Sequence, residues 1–243
     1  MINLDSEAEG LVLSGEWELA IPFSMRAFDG CKPDEIKIDV FPIYEGAARE
    51  FLYRFGSVPF SDAALEFIAR TVGGDMKSRG FTEDSEETAT PNILFTIKSQ
   101  ENVKRNVILP STVRLDLTDV SGLCNLTSYD TALYREMGID AFVTVTDGKI
   151  VSIAAKNPDD SSDFGDFDRP VFEIGVETDE NYRRRGFAAS NIAAIAYNAL
   201  SCRKGYVTYE THADNIPAVR AATSAGFSRY GMSYYYVMTR NLL

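Results

Sequence analysis

One histidine, one tryptophan and three cysteines are all that 243 residues hold of the side chains that most often bind metals, stack on ligands or form disulfides. Cys31, Cys124 and Cys202 are odd in number, far apart and without C-x-x-C spacing, so neither a disulfide framework nor a zinc site is indicated. They read as reduced thiols of a cytoplasmic protein. Basic residues are also scarce: 24 against 36 acidic ones leave a net charge of −12. Such a balance argues against nucleic acid, whose phosphates are bound chiefly by lysine and arginine. No apolar run approaches the ~18 residues of a membrane span. The opening MINLDSEAEG has neither a basic start nor an apolar segment of the signal-peptide kind, so neither export nor anchoring is expected. The spacings G-x-G-x-x-G and G-x-x-x-x-G-K-[ST] are missing too, which leaves out the common dinucleotide and P-loop sites.

What is present suffices for a core. Hydrophobic residues make up 45% of the chain, and its length fits one large domain or two small ones. The acidity is lopsided, with 18 acidic and nine basic side chains in residues 1–100 carrying −9 of the net −12. An acidic surface steers cations, and it also simply keeps proteins soluble. In this first part Ile36, Ile38 and Val40 alternate with Lys37 and Asp39 as in a strand, while Ser61 precedes a helical stripe of Ala64, Leu65, Ile68 and Val72. The stretch TEDSEETATP at 82–91 reads as a loop or hinge, and Trp17, Phe23 and Tyr44 as core. Residues 1–105 contain no chemical motif and no repeat. They are expected to form an α/β accessory lobe walling the substrate site of a second domain, 106–243.

That second part alternates strand and helix signals. Val113, Leu115 and Leu117 suggest a strand, and Ser128–Met137 a helix. AFVTVT and KIVSIAA are joined by Asp147-Gly148, a dipeptide suited to a tight hairpin. The loop Asn157–Pro170 carries five aspartates, Asp159, Asp160, Asp163, Asp166 and Asp168, but not in the calcium-loop spacing, so it reads as solvated.

Two blocks carry chemistry. In FEIGVETDENYRRRGFA (172–188) an apolar strand turns into a helix opening on Arg183-x-x-Gly186-x-Ala188, where small residues let a phosphate reach unpaired helix N–H groups. In YVTYETHADNIPAVRAATSAGF (206–227) a strand meets Asp214-Asn215 and a short helix that stops at Gly226. Together they resemble the acetyl-coenzyme A-dependent GNAT acyltransferase superfamily. Its [Q/R]-x-x-G-x-[G/A] element falls on Arg183, Gly186 and Ala188, and its Asn, Ala and Gly-Phe signature on Asn215, Ala218, Gly226 and Phe227. Glu173, Ile174, Val176 and Thr178 look similar to the zwittermicin-resistance subgroup, which acetylates small amines.

The resemblance implies an α+β fold with a mixed, mostly antiparallel sheet flanked by helices. It also implies acetyl-CoA as co-substrate, no metal, and a small-molecule primary amine as acceptor. The cofactor site would comprise Val176, Thr178, Arg183, Arg184, Arg185, Gly186, Phe187, Ala188, Ala189 and Asn215. Period-two alternation puts Glu173, Gly175 and Glu177 on one face of the strand, so Glu173 is the first candidate base and Glu177 the second. A tyrosine acid usual in the superfamily falls here on Ala222. Tyr235, with Tyr234 and Tyr236, is the nearest replacement in sequence, although a run of tyrosines on a strand also serves packing. His212, the single histidine, fits a structural role as well as a catalytic one. The missing tyrosine leaves room for an alternative, a non-catalytic acyl-CoA-binding module.

Overall fold

A computed structural model describes residues 1–123, 126, 131–157, 171–202 and 205–240. The chain forms two compact units: Met1–Ile93 with His212–Asp214 and the segment from Tyr230, and Leu94–Thr211 with Asn215–Arg229. The first half contributes β1 (Ile2–Leu4), α1 (Ser6–Ser14), β2 (Leu19–Phe28), β3 (Lys37–Val40), α2 (Glu45–Phe55), α3 (Asp62–Ile68), α4 (Gly74–Ser78), β4 (Thr82–Glu83), α5 (Ser85–Thr88) and β5 (Asn92–Ile97). The second contributes β6 (Thr112–Arg114), α6 (Thr131–Glu136), β7 (Ala141–Thr146), β8 (Lys149–Lys156), β9 (Val171–Thr178), α7 (Phe187–Cys202), β10 (Tyr206–His212), α8 (Ile216–Ala225) and β11 (Ser228–Thr239).

In the first unit the strand order is β1-β3-β2-β11, with β1 parallel to β3 and the other pairs antiparallel. Ile36, Ile38 and Val40 are buried, as their alternation requires, and join Phe23, Met25, Phe51, Phe67, Tyr234 and Tyr236 in one core. Ala64, Ile68, Val72 and Met76 keep their buried stripe from α3 into α4 through a π turn at Ala69–Gly73. Ser61 occupies the N-cap position of α3, yet its side chain makes no capping bond. Two expectations are corrected. The stretch 82–91 is not a loop: Thr82–Glu83 pairs with β11, and the Asp84 carboxylate accepts the Glu86 and Glu87 N–H groups to start α5. Trp17 is not core, being 49% exposed beside the exposed Leu19 and Ile21.

In the second unit β6, β7, β8 and β9 form an antiparallel run, β10 joins β9 in parallel, and β5 lies beside β10. The hairpin turn at Asp147-Gly148 has both residues at positive φ, 52° and 73°. One face of this sheet packs on α7, whose buried Asn191 accepts hydrogen bonds from Thr112 and Thr144. On the opposite face Ile153 and Ala155 meet Leu123, Tyr134 and Ile139. The first strand is shorter than its alternation suggests: β6 stops at Arg114, Val113 is exposed, and Leu117 lies outside any strand. The helix expected over 128–137 is described as α6 from Thr131, its first residues lying outside the described residues. The architecture is α+β, with mixed and mostly antiparallel strand pairing.

Candidate functional site

The second unit contains a forked strand pair. The parallel register of β9 and β10 covers three pairs, Val171 with Tyr206, Phe172 with Val207 and Glu173 with Thr208, and stops there. Beyond it β9 continues to Thr178, held by β8 on its other edge from Ile174 against Lys156 to Thr178 against Ser152. The Asp179 N–H donates to Val151 O at 3.0 Å, and the Glu173 carbonyl accepts from Asn157 N–H at 2.9 Å. Odd-numbered peptide groups therefore face β8, because successive groups of a strand point to opposite edges. Those of Val176 and Thr178 face the fork. The Thr178 carbonyl accordingly accepts Arg183 Nε on that side, at 3.2 Å.

The same carbonyl leads into the cradle. Asp179 accepts the Asn181 N–H at 2.8 Å and closes a short turn, after which Arg184 and Gly186 adopt left-handed conformations at φ 64° and 82°. Positive φ at a non-glycine residue is uncommon and is found at functional turns. A Cβ on Gly186 would meet nothing within 4 Å, so this glycine is required by its φ and leaves open space in front of the turn. The first intrahelical bond of α7 runs from Ser190 N–H to Gly186 O at 3.0 Å, which leaves the Phe187, Ala188 and Ala189 N–H groups as the unpaired donors of a 16-residue helix. Arg183, Arg184, Arg185 and Gly186 are exposed, Phe187 and Ala188 half-buried. Arg185 donates to the Asn181 carbonyl and lies over the Tyr182 ring, 5.0 Å from its centroid. Left-handed turn, helix terminus and three guanidinium groups suit an anionic phosphate.

Glu173, Gly175 and Glu177 share the face opposite α7, since their β8 partners Ile153 and Ala155 pack in the core on that side. Burial pushes the Glu177 carboxyl above its ordinary pKa, and the nearby Arg183 charge opposes the shift. Thr178 Oγ1 is 2.8 Å from Ser152 Oγ, so its side chain fastens β9 to β8 while its peptide faces the fork.

The remaining candidates have surroundings of their own. Asn215 uses its Oδ1 as the N-cap of α8, accepting from Ala218 N–H at 3.3 Å. Ala222 is fully buried. Tyr234, Tyr235 and Tyr236 belong to the first unit, where Tyr234 and Tyr236 are buried and Tyr235 Oη accepts from Arg26 at 3.1 Å. His212 also belongs there, with Nδ1 3.2 Å from Thr90 O and Nε2 3.8 Å from a Glu87 oxygen. The aspartates of 159–168 lie outside the described residues. One residue escaped the sequence reading: Thr208, directly opposite Glu173 at the root of the fork. Only the strand register, which the sequence does not print, brings it there.

No protein-family profile and no curated protein matches the chain. Solved structures are similar to it in part. A GNAT-family protein from Novosphingobium aromaticivorans is 20% identical over 67% of this chain and 69% of its own, with a TM-score of 0.47. A GCN5-related N-acetyltransferase-like protein from Streptococcus suis is 17% identical over 72% and 68%, at 0.45. The aminoglycoside N-acetyltransferase AAC(6')-Iy, solved with CoA, is 17% identical over 54% of this chain and 95% of its own, at 0.41.

Proposed function

We propose that this protein is an acetyl-CoA-dependent N-acetyltransferase acting on a primary amine of a small molecule. The observation that carries this reading is the continuity of the fork with the cradle: fork-facing strand peptides at Val176 and Thr178 run directly into a left-handed turn and an open helix N-terminus. Together they suit a ligand with amide groups along one stretch and a pyrophosphate at its end, the chemistry of coenzyme A. Acetyl-CoA supplies the acyl thioester.

The chain's own residues do the remainder. Val176 and Thr178 backbone groups hold the pantetheine arm and orient the thioester. Glu173, at the root of the fork, takes a proton from the acceptor ammonium, directly or through water, with Glu177 as the second candidate. The neutral nitrogen then forms the C–N bond, the C–S bond breaks with its electron pair passing to sulfur, and the surplus proton on nitrogen leaves to the thiolate or to water. Coenzyme A thiol, with a pKa near that of free cysteine at about 8.5, leaves without a strong enzymic acid. The buried Ala222 is consistent with that.

Gly186→Asp tests the reading, because it places a negative charge and a strained φ at the cradle while its Cβ meets open space. Calorimetry is expected to show CoA binding to the wild type and at least roughly tenfold weaker binding to the variant, a loss of about 1.4 kcal/mol. Equal affinity in a folded variant would remove the cradle assignment. Release of free thiol from acetyl-CoA in the presence of primary amines separates an enzyme from the alternative, a CoA-binding module without turnover, for which the alanine in place of a tyrosine at 222 is the argument.

A further inference from the structure

The root of the fork holds a polar group that the described residues leave unused. Thr208 is 2% exposed, and its Oγ1 has no hydrogen-bond partner among the described residues. Buried hydroxyl groups are nearly always bonded, because an unmade bond in a low-dielectric interior costs stability. Its place is fixed by register. Thr208 pairs directly with Glu173, so both side chains stand on the same face of the sheet, the one turned away from α7. This pair is also the last before β9 and β10 part. On β10 the same face continues at Glu210, two residues on. A hydroxyl that bonds to none of the described residues thus stands on one face with two carboxylate-bearing positions, at the root of the fork.

We infer that Thr208 is a substrate-binding residue, whose Oγ1 accepts an N–H of the acceptor amine while Glu173 takes the proton that must be lost. The inference rests on the acetyltransferase reading above and adds to it the group that orients the nucleophile. A primary ammonium has three N–H bonds. One proton passes to the Glu173 carboxylate and a second stays hydrogen-bonded to Thr208; the lone pair so released first faces Glu173, and the nitrogen, still held by Thr208, turns about that bond to present it to the thioester held along β9. Only an ammonium with at least two N–H bonds satisfies both partners, which primary and secondary amines do. The idle hydroxyl is then a cost to the resting fold that the substrate removes.

The test uses the full chain with Thr208→Val, which keeps shape and removes the hydroxyl, and Thr208→Ser, which keeps the hydroxyl. Thermal melting, CoA calorimetry and acetyl transfer to n-butylamine, 1,4-diaminobutane, tyramine and kanamycin are measured for each. Thr208→Val is expected to melt at or above the wild-type temperature and to bind CoA within about twofold, while kcat/KM for the amine falls at least roughly tenfold. Thr208→Ser is expected to keep the amine parameters within about threefold. Wild-type kcat/KM in Thr208→Val overturns the inference, as does a lowered melting temperature joined to weakened CoA binding, which marks a structural role. If the wild type binds CoA and acetylates none of these amines, the Thr208 assignment falls and the cradle stands. If the wild type binds no CoA, the acetyltransferase reading itself falls, and this inference with it.

Discussion

Glu177 shows how one residue links the site to the stability of the strand that carries it. Its carboxyl is held above the ordinary value of 4.5 chiefly by burial, so the folded chain binds that proton more tightly than the unfolded chain. Stability from this group therefore falls as pH rises from about 4.5 through the folded value, and the penalty is absent at lower pH. Glu177→Gln removes the ionisable group and keeps the shape. Its melting temperature relative to the wild type is expected to be higher at pH 7 than at pH 4, and a difference independent of pH would remove burial of the charge as the cause. At the same scale, Asn215 illustrates a limit of motif reading. A sequence signature assigns it to the cofactor, while its Oδ1 is engaged in capping α8. Both uses need an oxygen at a helix start, and residue type alone does not separate them.

At the level of elements, the sequence was legible where local rules act alone. Asp147-Gly148 makes the hairpin because both residues tolerate positive φ, and Ile36, Ile38 and Val40 turn inward because a strand alternates. It was opaque where partners decide. The acidic stretch after Phe81 gains its structure from β11 and from Asp84, which no composition rule anticipates. The fork is a matter of where a register ends, and Trp17 is exposed because the strand it precedes keeps Leu19 and Ile21 outside. The π turn between α3 and α4 gives an element-scale test. A Cβ on Gly73 would overlap the Tyr236 hydroxyl and ring, and that hydroxyl is held by donating to Glu83 at 2.9 Å. Gly74, one residue on, has helical backbone angles and nothing within 4 Å of its Cβ position. Gly73→Ala is expected to cost about 1–3 kcal/mol, whereas Gly74→Ala is neutral or stabilising by up to about 1 kcal/mol. Urea midpoints decide it. Equal midpoints for the two variants would mean that Tyr236 yields easily.

Across the whole molecule the division between units does not follow a single cut. The backbone passes from one unit to the other after Ile93, Thr211, Asp214 and Arg229, and β11 begins in one and ends in the other. A fragment of residues 106–243 keeps Tyr234, Tyr236 and Met238 but loses Phe23, Met25, Phe51 and Phe67, among which they are buried. It is expected to bind a hydrophobic dye and to lack a cooperative melt, whereas the intact chain shows neither defect. A fragment melting as sharply as the full chain would show that the second unit folds alone.

The pairing of β2 with β11 also fixes an order of events during synthesis. Tyr236 stands opposite Phe23, and more than two hundred residues separate them. At roughly 5–20 residues per second, translation leaves the apolar β2 without this neighbour for about 10–40 seconds. An unpaired apolar strand is a template for pairing with other chains, so this interval is when the nascent polypeptide most needs a chaperone.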